Sequence, residues 1–383
     1  MHYSLQMFFA NGGGPCWINS VNDYTSAGGQ VIAKDLVDGL DQIAKINEVT
    51  LLVFPDAINL STLNDYTEVY NKAIEQCASL QDRFTVLDVY HSAENEGPNG
   101  DDWQKDVKDL QDAITTAQPE NLKYAAVYFP AIYTNIDFNY KVAGSQTNDN
   151  DEVITIVNGA QGAKTLAELK TKDNAAYFQA KNAVSNIQML LPPSSAMVGI
   201  YAQIDSSRGV WKAPANVNIA NAIRPKYLIT NREQDFLNVD VVSGKSINVI
   251  RKFEGRGPAI VWGARTLTGN DNEWRYVPVR RYFNMVEESV KNASEQFVFE
   301  PNDENTWTRI KSMIQNYLTQ QWKAGALMGA SSKEAFFVHV GLGETMTEVD
   351  IWEGRLIVEI GMAVVRPAEF IILRFMHKML QES

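Results

Sequence analysis

The chain has 383 residues, 45% hydrophobic and 21% charged, with 34 basic against 46 acidic side chains for a net charge of −12. That length is long for one core and implies two domains. The longest apolar run, Ala125 to Tyr133 with an internal proline, is well short of the roughly 18 residues a membrane helix needs, so no membrane insertion is predicted.

The N-terminus lacks the basic, apolar, small-residue order of a secretory signal, which points to cytoplasmic synthesis. Cys16 and Cys77 read as reduced packing residues. The scattered His2, His91, His339 and His377 offer no zinc spacing, so no metal and no cofactor are expected.

In chain order, residues 1–18 read as a strand and a glycine turn, with Phe8, Phe9, Cys16, Trp17 and Ile18 available for burial. Phosphate-loop chemistry is absent there: no G-x-x-x-x-G-K-[ST] or G-x-G-x-x-G occurs, and SGKS at 243–246 has Val239 where the first glycine would stand. From Gln30 the pattern becomes α/β. Ile32, Leu36, Leu40 and Ile43 recur at helical spacing, and Thr50 to Phe54 forms a buried strand. Helix 66–80, strand 83–90, helix 101–115 and strand 122–129 continue the alternation. Such units predict a mostly parallel sheet covered on both faces.

In sheets of that kind ligands sit beyond the strands' carboxyl ends, where Asp56, Asp88, His91 and Pro130 gather. A hydrolase using Asp88 and His91 is the alternative reading. No serine sits on a G-x-S-x-G elbow, and a strand-end aspartate capping a helix beside an exposed histidine explains the pair more simply. Residues 141–173 read as a polar insertion. A helix over 175–190 stops at Pro192-Pro193, and Ser194 is placed to cap the helix 195–205.

Charge is uneven. Residues 82–152 carry 14 acidic and 5 basic side chains, and residues 224–281 carry 11 basic and 6 acidic. Complementary faces of this kind suit identical subunits meeting head to tail. The basic block lacks the dense Lys/Arg clustering of a phosphate-tracking surface, so no nucleic-acid partner is expected.

Residues 256–281 carry the most distinctive pattern. An apolar run, Pro258 to Trp262, is followed by Arg265, a Gly-Asn-Asp-Asn turn at 269–272 and then Trp274, Arg275, Arg280 and Arg281. Strand, turn, then helix is the reading. Arg256, Arg265, Arg275, Arg280 and Arg281 are candidates for contacts between subunits, because a guanidinium keeps its charge and offers a planar fork to carboxylates. Replacing Arg265 or the 280/281 pair is expected to harm assembly more than folding.

Farther on, a helix with Phe283, Val286 and Val290 on one face ends near Ser294, and Phe297 to Phe299 reads as a short strand. Helix 306–322 carries a packing stripe of Trp307, Ile310, Ile314, Tyr317 and Leu318. Strands are predicted at 335–340, 356–364 and 369–375.

Six segments together resemble a known family: FFANGGGPCWI at 8–18, RGVWKAPAN at 208–216, GPAIVWGARTL at 257–267, WRYVPVRRYFNMVEESV at 274–290, FEPND at 299–303 and RPAEFIILRF at 366–375. In order and spacing they are similar to those of contractile tail sheath proteins, shared by myophage tails, type VI secretion and extracellular contractile injection systems. The resemblance covers nearly the whole chain.

It implies a subtilisin-like, doubly wound α/β domain without a working triad over residues 1–272, interrupted by the 141–173 insertion, and a smaller α+β sheath domain over 273–383. It also implies a structural, non-enzymatic subunit that assembles helically with copies of itself around an inner tube protein, contacts baseplate and terminator proteins, and resides in a phage tail or injection particle. Subunits of this family exchange arm strands with their neighbours. On that pattern Glu369, Phe370, Ile372 and Arg374 of the last strand join the contact candidates. The match opens at the first core segment, without an upstream arm, so this form is expected to be mainly monomeric in dilute solution.

Overall fold

The structure, a computed structural model, describes residues 1–22, 29–92, 95–97, 100–137 and 162–370. The chain opens with helices α1 (His2–Ala10) and α2 (Ala33–Ile43), then β1 (Leu51–Leu52), α3 (Leu63–Leu80) and β2 (Phe84–Asp88). The short ladder β3 (Glu96–Gly97) and β4 (Gly100–Asp101) precedes α4 (Trp103–Ala113), β5 (Ala125–Phe129) and β6 (Ile132–Thr134). Next come α5 (Leu166–Lys172), α6 (Asn174–Ser185), β7 (Leu190–Leu191), α7 (Ser194–Arg208), β8 (Val217–Asn218) and β9 (Ala222–Pro225). Helix α8 (Asn231–Asn238) leads to the hairpin β10 (Ile247–Phe253) and β11 (Gly257–Val261). The last part holds α9 (Val277–Ser294), α10 (Glu304–Lys323), α11 (Ser332–Ala335), β12 (Phe336–His339), α12 (Glu348–Trp352) and β13 (Glu359–Met362).

Six strands form the central sheet in the order β1-β2-β5-β10-β11-β8. The first three pairings are parallel and the last two antiparallel. The residues of β2 and β5 are all buried, as continuous apolar strands require when helices cover both faces. Alternation of side chains divides them. Leu87, Val127 and Phe129 pack with Tyr66, Tyr70 and Ile74 of α3 and Leu110 of α4. Phe84, Val86, Ala126 and Tyr128 pack on the other side with Met7 of α1 and Met197, Ile200 and Tyr201 of α7. Helix starts are supplied locally: Thr62 accepts from the Asp65 amide, and Thr230 with Glu233 forms a capping box.

A third core joins Val279, Tyr282 and Val286 of α9 with Ile310, Ile314 and Leu318 of α10 and Val338 of β12. Ile310, Ile314 and Leu318 of the stripe read on helix 306–322 face this core, with Tyr317 partly buried against it, whereas Trp307 is half-buried and donates to Asn302 instead. Beside it lies the two-stranded antiparallel ladder of β12 and β13.

Several expectations are corrected. Residues 2–10 are helical, not a strand, because they pack lengthwise on α7, where Gly199 leaves room for the backbone oxygen of Phe8. Phe9, Cys16, Trp17 and Ile18 are exposed rather than buried. The reversal itself is present: Gly12 has φ +94°, and the Asn11 side chain bridges Met7 O and the Ala220 amide. Helix 175–190 ends at Ser185, and its last residues pair as β7 with β6. Residues 295–297 form a 3₁₀ turn instead of a strand, and Phe299 adopts φ +69°, which no strand accommodates. Of the polar insertion, residues 141–161 lie outside the described residues. Its later part forms α5, which with α6 encloses a small core of Ala163, Leu166, Leu169 and Tyr177.

Candidate functional site

The segment from β11 to α9 turns as the sequence indicates. The Asp271 carboxylate accepts from the amides of Glu273 (2.6 Å) and Trp274 (2.9 Å), closing the polar turn as Asx chemistry does. Gly269 lies against Ser246, where an added Cβ would fall 1.6 Å from the hydroxyl oxygen. That close approach brings Arg265 over the sheet's end.

Arg265 is 3% exposed and donates through all three nitrogens of its guanidinium. Nε donates to Glu369 Oε1 at 3.0 Å, Nη2 to Oε2 at 2.7 Å, and Nη1 to the carbonyl oxygens of Gly269 and Asn238. Glu369 also accepts from Asn238 Nδ2 at 2.7 Å and from the Tyr276 hydroxyl at 3.0 Å. Burial pushes the Glu369 carboxyl up, but the donors from Arg265, Asn238 and Tyr276 outweigh it and leave it below its ordinary value. Asn248, fully buried on β10, holds the Arg265 backbone on both sides: its Nδ2 donates to Arg265 O and its Oδ1 accepts from Arg265 N.

The two following arginines repeat the arrangement. Arg280, 2% exposed, donates to Asn284 and Glu287 at 2.8 Å each and lies 4.5 Å from the Trp274 ring centre and 4.9 Å from that of Tyr124. Arg281 makes a two-pronged pair with Asp205 of α7 and stacks on Tyr201. Asn284 donates to the carbonyl of Arg83, itself fully buried and forked onto Asp82. These contacts join α9 to the sheet and to the helix layer behind it.

The sequence-selected residues thus separate into two groups. Arg265, Arg280 and Arg281 are buried within the chain, each paired with a carboxylate of the same chain, so the charge that suggests subunit contacts in the sequence is met internally. Arg256 and Phe370 are exposed, Arg275 is partly so, and Arg256 lies over Trp262 at 4.9 Å. Glu369 and Phe370 are not in a strand, and Ile372 and Arg374 lie outside the described residues. Asn238, Asn248, Asn284 and Arg83, which complete the network, carry no sequence pattern that marks them.

The hydrolytic constellation does not assemble. Asp88 at the end of β2 directs Oδ1 to the Ser194 amide at the start of α7, 2.8 Å away. His91 pairs through Nδ1 with Asp106 at 2.5 Å, and Ser194 and Ser195 are buried. Asp88 therefore caps a helix, as the simpler reading held, although that helix is α7 and not the next one along the chain. Burial pushes its carboxyl up to about 7 despite the amide donor. Among the described residues no cluster of metal-ligating side chains occurs, and no helix is long and apolar enough to cross a membrane.

Residues 269–377 match the phage tail sheath C-terminal domain. A solved extracellular contractile injection system, the PVC sheath complex in its contracted state, is 32% identical to this chain over 98% of its length and 80% of that chain, with a TM-score of 0.67. The contracted helical sheath of the anti-feeding prophage is 31% identical over 98% of this chain and 82% of its own, also with a TM-score of 0.67. The tail sheath protein of Vibrio phage KVP40 is 28% identical over 129 residues, 34% of this chain and 19% of that protein's length.

Proposed function

This chain belongs to the contractile tail sheath family, and from that premise we propose that it is a structural subunit of a contractile tail or injection particle. Copies wind helically around an inner tube protein, meet a baseplate, and rearrange as rigid bodies during contraction, so that free energy held in many contacts drives the tube outward. Likeness along the whole chain to subunits solved within an assembled sheath carries this reading.

The sheet with helices on both faces corresponds, in this proposal, to the subtilisin-like body, with a boundary near residue 272. The core around α9 and α10 belongs to the smaller sheath domain. Among the described residues, Arg256, Arg275 and Phe370 are the contact candidates that remain accessible. The role is mechanical: Asp88 and His91 are structural, and no nucleotide or cofactor enters the cycle.

The test is co-expression with an inner tube protein of a contractile particle, followed by negative-stain microscopy. Sheathed tubes or stacked rings are the expected result. Persistent monomers beside bare tubes, together with labelling by a serine-hydrolase probe that disappears in His91→Ala, would overturn it in favour of an enzyme.

A further inference from the structure

A cleft of about 800 Å³ opens between the end of α7, α8, β10, the residues that follow β11, and residues 365–370. Its wall carries four cations, Arg208, Lys212, Arg251 and Arg366, and none of them is ion-paired among the described residues. Arg251 hydrogen-bonds only to amide oxygens, Asn231 Oδ1 at 2.8 Å and Gln234 Oε1 at 2.6 Å, and lies 5.0 Å from the Phe253 ring centre, while its Nε is buried without a hydrogen-bond partner. Lys212 donates to the Ala213 carbonyl and Arg366 to that of Asn272. The wall's carboxylates are Asp235 and Glu369, and the charge of Glu369 is already met by Arg265. The space is therefore cationic, with Trp211 and Trp262 as aromatic walls. It calls for an acidic guest with an aromatic group.

The same chain displays such a guest. Residues 298–304 read VFEPNDE, three carboxylates in seven residues. Val298 is 60% exposed and Phe299 102% exposed, the latter at φ +69°. A side chain of that size seldom adopts this conformation, and here the turn enforces it: Val298 N donates to Glu295 O and Glu300 N to Phe297 O. Asn302 is fixed on both sides, accepting from Trp307 Nε1 and donating to Arg355 O. The phenyl ring is thus held out by a pinned backbone, which reduces the ordering cost of docking.

We propose that the Val298–Glu304 loop of one copy docks in the cationic cleft of the next. Phe299 packs against the tryptophan walls; Glu300, whose one ion pair among the described residues of its own chain is an exposed 3.5 Å contact with Arg309, and Glu304 meet Arg208 and Arg251. Loop and cleft are different patches, so the contact runs head to tail. A contact of that kind propagates into an open helix instead of closing a dimer. This inference rests on the sheath reading above and names a contact within it.

The test compares assembly of the parent with Phe299→Ala, Arg208→Glu, Glu300→Arg and the Arg208→Glu/Glu300→Arg double exchange, by sedimentation and microscopy. The exchanged side chains are exposed, so thermal melts are expected to stay with the parent. Each single change is expected to weaken association by about tenfold or more, as loss of an aromatic anchor or a reversed charge does. The double exchange restores it. Should the parent assemble and all variants assemble equally well, this contact is overturned and the sheath reading stands. A parent that never associates, alone or with its tube partner, overturns both.

Discussion

Arg265 and Glu369, separated by 104 positions in sequence, are joined by parallel hydrogen bonds of 3.0 and 2.7 Å with the arginine 3% exposed. A side chain selected from sequence as a surface contact thus holds the chain's late segment against its sheet. The energetic reason is plain: a guanidinium this deeply buried is stable only with a carboxylate and its remaining N–H groups satisfied.

Arg265→Ala is expected to lower the unfolding free energy by about 3–5 kcal/mol, since Glu369 and the carbonyls of Asn238 and Gly269 lose their donors. Arg265→Lys should recover only part, because an ammonium lacks the planar fork. Denaturant titration measures both. An alanine variant within about 1 kcal/mol of the parent would place this pair with the weak surface bridges.

Glu369 has a folded value below its ordinary 4.5, so its contribution is complete above that pH and is lost as pH falls through the depressed value. The stability difference between parent and Glu369→Gln should accordingly be constant at neutral pH and shrink in acid. A difference that grew on acidification would contradict the donor arrangement around this carboxylate.

Asp88 has the opposite sign. Its folded value is pushed from 3.8 to about 7, so between those values the folded state binds more protons than the unfolded state, and stability falls as pH rises through the window. Asp88→Asn still presents an oxygen to the Ser194 amide but does not ionise. Unfolding measured from pH 4 to 8 should show a flatter profile for the variant across that window. Identical slopes would mean that Asp88 ionises normally.

Gly199→Ala is expected to cost about 1–3 kcal/mol by overpacking, because its Cβ would stand 2.4 Å from the Phe8 carbonyl oxygen, a backbone atom that moves only with the whole of α1. Differential scanning calorimetry should show a lower Tm. If Tm is unchanged, α1 is not seated on α7 as described.

Much of the body was legible because its signals are local. Helix 33–43 follows from apolar spacing, and strands 84–88 and 125–129 follow from short runs bounded by polar residues. Residues 2–10 were not, since a brief apolar stretch suits strand or helix, and only docking on Gly199 decides between them. The arginine block was legible as special but not as internal. Its partners Asp205, Glu287 and Glu369 lie 76, 7 and 104 positions away, and residue type alone does not reveal which carboxylate answers a guanidinium. Asn248 and Asn284 were invisible for the same reason: their amides serve backbone atoms of distant segments.

The Arg265 pair also sets the route by which load travels. A pull on the chain beyond Phe370 reaches Glu369 before it reaches β13, which ends at Met362, five positions before Pro367. The carboxylate passes it to Arg265, and Asn248 passes it on to β10 and, through the Val127 carbonyl, to β5 at the centre of the sheet. Load taken up there is shared with the parallel β5–β10 ladder before it falls on the narrow β12–β13 ladder.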